Sequence, residues 1–66
     1  MSNITGRLIN ARRVHFGTGY IISGEIYEDI LGRFHDGEMI LTSKVVSEEG
    51  PIILTANSIY EIEGWA

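Results

Sequence analysis

A chain of 66 residues with 44% hydrophobic and 21% charged content has ordinary globular composition, which excludes a charged disordered tail and a membrane segment. One domain, 1–66, is all that this length allows, and it hides only roughly 60% of the surface its unfolded form exposes. The chain has no cysteine and a net charge of −4, so disulfides and thiolate-bound zinc cannot support the fold and self-association is the natural remaining source of stability.

The first strand is expected over Ile4 to Phe16, long enough to bend, with Gly6 permitting curvature and Ile4, Leu8 and Val14 facing inward. Gly17-Thr18-Gly19 supplies the turn into a second strand, Tyr20 to Tyr27. Its Ser23-Gly24 step suits a bulge that re-aims Ile26 after Ile22. Glu28-Asp29 breaks the pattern before a short apolar segment, Ile30 to Phe34. The Asp36-Gly37 pair is then a hairpin signal, because both residues tolerate positive φ. Met39 to Ser47 is the next expected strand, reversed by Glu48-Glu49-Gly50-Pro51 into Ile52 to Thr55. After a brief turn at Ala56-Asn57, Ser58 to Glu63 resumes alternation with Ile59 or Tyr60 inward.

No stretch keeps helical apolar spacing for three turns, so the chain is mainly β. The short strands and tight turns predict a small antiparallel, strongly bent sheet or an SH3-like or OB-like barrel of five or six short strands. Ile40-Leu41-Thr42-Ser43 is echoed by Ile53-Leu54-Thr55-Ala56, an internal repeat or the two arms of one hairpin under similar packing demands.

Met1 to Val14 is interrupted by Asn3, Arg7, Asn10, Arg12 and Arg13, so it lacks the apolar run of a secretory signal. No apolar run approaches the roughly 18 residues that span a bilayer. The expected compartment is the cytoplasm, without membrane association, and the Asn3-Ile4-Thr5 match to a glycosylation acceptor is then incidental.

Chemistry-bearing constellations are sparse. His15 and His35 fall in different strands or turns without metal-ligand pairing, and Gly17-Thr18-Gly19 is followed by neither the third glycine nor the helix of a dinucleotide loop. Glu25, Glu28, Asp29, Asp36 and Glu38 offer carboxylate pairs on paper, but a small barrel rarely supplies the cleft they would need. No catalytic, cofactor or metal site is predicted, and an enzyme is not expected. The charges are split, however: Arg7, Arg12 and Arg13 stand without an acid in residues 1–24, giving +3, against −7 for the remainder.

Arg12 and Arg13 point to opposite faces of a regular strand, and arginine and aromatic residues recur at binding hot spots. The predicted partner-binding residues are therefore Arg12, Arg13, Phe16 and Tyr20. The competing reading is that the arginines pair with Glu61, Glu63 or other acids and only keep the sheet soluble. A weak nucleic-acid-binding barrel is a second function class, since arginines can follow phosphates while aromatics stack on bases; the acidic net charge opposes it. A structural or assembly component is a third.

Gly32-Arg33-Phe34, Asp36-Gly37, Thr42-Ser43-Lys44-Val45-Val46 and Thr55-Ala56-Asn57-Ser58-Ile59-Tyr60 form a pattern over roughly the last half of the chain. It resembles that of short uncharacterised proteins encoded in phages and prophages. The resemblance implies a phage or mobile-element origin and a small protein-interaction module that binds a host or phage protein and modulates a host process. A homodimer is expected as well, through an exposed β edge.

Overall fold

β1 (Gly6–Phe16) and β2 (Gly19–Tyr27) form the longest ladder of the computed structural model, which describes residues 4–66. Asn3 of the acceptor match lies outside the described residues. Gly17 and Thr18 alone connect the two strands, because Phe16 is paired with Gly19. Gly17 has φ of 61°, which suits the first central position of a type II′ turn whose twist matches the flanking strands.

β3 (Glu38–Leu41) runs antiparallel to β2, completing one meander; β4 (Val45–Glu49), β5 (Ile52–Thr55) and β6 (Ile59–Ile62) form a second. The meanders meet where β6 pairs with β1 in parallel, Gly6 to Tyr60 and Leu8 to Ile62, giving a 6-stranded sheet of order β3-β2-β1-β6-β5-β4. The fold is thus all β and strongly bent, but its pairing is mixed, and the ladder does not close into a barrel.

The parallel pair follows from the strand directions. Each meander reverses twice, and the chain passes from β3 into β4 without reversing. The single strand expected over Met39 to Ser47 is one bent run, interrupted at residues 42–44. Thr42 makes the break: its N–H donates to the Ile22 carbonyl at 2.9 Å, while its Oγ1 accepts from the Ile22 N–H at 3.0 Å and donates to the Ser43 carbonyl at 2.8 Å. A side chain thus takes over a ladder position. Since β3 and β4 lie at opposite ends of the sheet yet are nearly continuous in the chain, the sheet must curl.

Leu8, Ala11, Ile22, Ile26, Ile40, Ile53, Tyr60 and Ile62 form the core. Fully buried Leu8, Ile22, Ile26 and Ile53 each contribute about 1.5–3 kcal/mol through burial. The inward parity of β1 changes along its length: Leu8 faces in, and after a register shift between Ile9 and Arg12 the next inward residue is Ala11. Asn10 carries the shift with φ of 55°, a left-handed conformation asparagine tolerates.

The bulge therefore lies on β1, not at Ser23-Gly24, and it turns Val14 outward, contrary to the expectation that Val14 faces the core. Gly24 is opposite, where a Cβ would stand 3.3 Å from the Ile9 carbonyl oxygen and 3.4 Å from the Ala11 Cα. The bulged backbone finds partners in the C-terminal segment: the Ala11 N–H donates to the Gly64 carbonyl at 3.0 Å and the Ala66 N–H to the Ala11 carbonyl at 2.9 Å.

The β2–β3 connection spans residues 28–37, so Asp36-Gly37 closes a long loop rather than forming a tight hairpin. Buried Asp29 organises the loop by accepting the Arg33 and Phe34 N–H groups at 2.7 and 3.2 Å. Phe34 packs against the core, whereas Ile30 and Leu31 are exposed. The two Ile-Leu-Thr segments are not arms of one hairpin. Ile40 and Ile53, then Thr42 and Thr55, are buried, with Leu41 and Leu54 outward between them, each in its own meander.

Candidate interaction surface

Arg13 and Tyr20 sit on the concave side of the sheet, near its curled edge. The Arg13 guanidinium bonds to both Glu48 carboxylate oxygens, and Tyr20 Oη donates to Glu48 Oε1 at 2.6 Å. On its other side Arg13 lies 4.2 Å from the centroid of the Trp65 ring, a cation–π arrangement. The bonds from Arg13 and then Tyr20 hold the Glu48 carboxyl below its ordinary range, and the Tyr20 hydroxyl is pushed up by its bond to Glu48 and by burial. Lys44 Nζ, 3.2 Å from Thr18 Oγ1, adds a second side-chain tie between the β1–β2 turn and the segment entering β4.

Arg12 and Phe16 lie on the opposite, convex face. The register gives its rows: Ile9 beside Glu25 beside Met39, then Arg12 beside Ser23 beside Leu41, then Val14 beside Ile21. Residues directly opposite one another on neighbouring strands share a face. Phe16, Met39 and Leu41 are 56%, 62% and 66% exposed, and Ile9 and Val14 more than a third. The structure therefore divides the predicted residues: Arg12 and Phe16 stay on an open surface, while Arg13 and Tyr20 are committed to holding the fold. Met39 and Leu41 were not foreseen as site residues, although their alternation with Ile40 marks an apolar outward face.

Arg7 occupies a third environment. Its guanidinium contacts Glu28 at 2.7 Å, Glu61 at 3.2 Å and also Glu63, beside a recess of about 490 Å³ that Ile9, Tyr27 and Asp36 also line. Arg33 faces Asp29 at 3.6 Å and donates to Tyr60 Oη at 3.2 Å. For Asp29, burial would raise the carboxyl, but the Arg33 N–H, the Arg33 charge and the Phe34 N–H together bring it below its ordinary value. Arg12 alone among the arginines makes no ion pair or side-chain hydrogen bond with the described residues.

Among the described residues no group of three histidine or carboxylate side chains converges as a metal site would require, and no helix is long and apolar enough to cross a membrane. A scan of family models, a search of curated proteins and a search of solved structures each find no match to this chain.

Proposed function

We propose that this protein is a protein-interaction module that contacts its partner through the convex face of β1, β2 and β3, with Arg12 as the polar anchor. One observation carries the reading. Among the described residues Arg12 has no acidic partner and shares its face with exposed Val14 and Leu41, while Arg7, Arg13 and Arg33 are each paired. An unpaired guanidinium on a face that also presents exposed apolar side chains can stack and form bidentate bonds with a partner. A host or phage protein is the partner class that the sequence pattern implies.

The test separates the two adjacent arginines. Protein immobilised on a resin is used to capture material from nuclease-treated host lysate, and captured proteins are identified by mass spectrometry. Arg12→Ala should keep the wild-type melting temperature and lose at least roughly tenfold in capture of a specific protein, about 1.4 kcal/mol. Arg13→Ala should instead lower the melting temperature. Capture that is indifferent to Arg12→Ala, or that disappears with nuclease, removes the proposal.

A further inference from the structure

We propose that β3 is a self-association edge, at which two copies of this chain pair antiparallel about Ile40 and join their sheets into one. The ladder sets which backbone groups are available. Ile40 is paired with Gly24, and the Thr42 N–H donates to the Ile22 carbonyl. By the alternation of an antiparallel ladder, the N–H and C=O groups of Met39 and Leu41 then point away from β2. β3 contacts no strand but β2 among the described residues.

A twofold axis through Ile40 places Met39 opposite Leu41 of the second copy, and Leu41 opposite its Met39. Those are the residues whose backbone groups face outward, so the register uses all the free donors and acceptors of the strand. It also keeps convex face with convex face, so the two exposed apolar side chains of the strand, at 62% and 66%, cover one another across the junction. The charge order selects the same arrangement. Asp36 precedes the strand, Glu38 opens it and Lys44 follows it; Lys44, whose Nζ bonds Thr18 Oγ1, forms no ion pair among the described residues. Antiparallel pairing brings the acidic end of each copy to the cationic end of the other, twice by symmetry; parallel pairing would set like beside like.

The pairing rests on the β3 backbone rather than on Arg12. Although both readings use Leu41, Arg12→Ala should leave self-association unchanged, because Arg12 lies on β1 with β2 between it and this edge. Sedimentation equilibrium of the full chain from about 1 µM to about 1 mM, a range that brackets weak association, should show the mass rising from 7.4 kDa toward twice that value. Leu41→Pro removes an outward N–H while leaving the β2 ladder intact, and Met39→Lys puts a charge into the apolar junction. Each should weaken association at least roughly tenfold with a melting transition close to wild type. In hydrogen exchange of the unaltered protein, the amides of Met39 and Leu41 should slow as concentration rises; should a variant fail to fold, this series decides alone. A 7.4 kDa species at every concentration, a dimer that both variants preserve, or amides that ignore concentration would overturn the proposal. So would an edge that is protected only when an unrelated protein is added.

Discussion

β3 and β4 end the same sheet, but they are finished differently. β4 carries a register shift between Val45 and Ser47, is followed by Pro51 beyond the turn, and sends Glu48 to Arg13 and Tyr20. Bulges and inward-pointing charges of this kind discourage a further strand from adding. β3 has no bulge, proline or cation within it, only Met39 and Leu41 outward with free backbone groups between them. Short length and Glu38 at its start are its protective features. The contrast teaches that the acids of this chain are not a uniform solubilising coat: Glu48 is spent on closing one edge, and the other is left available.

If the β4 end is the more firmly bound, truncating the core beneath it should be the costlier change. Ile53→Ala on β5 is expected to lose stability toward the upper end of the usual 2–5 kcal/mol for such cavities, about 4, because its site is enclosed by neighbouring strands. Ile40→Ala on edge strand β3 should fall toward the lower end, about 2, since an edge can collapse more readily. Urea denaturation measures both, and equal losses would erase the distinction between the ends.

Acid should act on the guarded edge in particular. The folded carboxyl of Glu48 is depressed, so its contribution is complete above the ordinary glutamate value of about 4.3 and is lost as pH falls through the lower folded value. Glu48→Gln should therefore melt below wild type at pH 7, with the gap shrinking as pH drops under about 4. Asp29 is depressed too and has the same sign, but it is present in both proteins and cancels in the difference. A gap that is constant with pH would mean that Glu48 acts by packing alone. The smallest effect belongs to the open edge: Leu41→Thr, on an exposed strand position, should change folding stability by no more than about 0.5 kcal/mol, measured in dilute solution by the same urea series.

Much of the fold is legible in local sequence. Ile22 and Ile26 alternate with outward residues as a strand requires, glycine marks the β1–β2 turn, and Pro51 precedes β5. What local pattern could not supply is set by distant backbone. The bulge at Asn10 is stabilised by hydrogen bonds from the Ala11 N–H to the Gly64 carbonyl and from the Ala66 N–H to the Ala11 carbonyl, and it alone decides that Val14 faces outward. The split of the candidate site has the same origin. Arg12 and Arg13 are equivalent in composition, and only the return of β4 across the sheet brings Glu48 to one of them. Thr42 and the echo at Thr55 share a sequence pattern, but nothing adjacent in the chain shows that one ends β3 by bonding back to β2 and the other closes a turn to Ser58.

The parallel seam between β1 and β6 also bears on how the chain reaches this state. Thr5 bonds to Ile59 across 54 positions of sequence, and the core cannot be completed until that long loop has closed. Each meander can form from near neighbours, whereas their union carries the entropic cost of closure before any contact rewards it. The molecule should consequently fold more slowly than its size suggests, with both halves ordered early and the seam between the chain's two ends forming last.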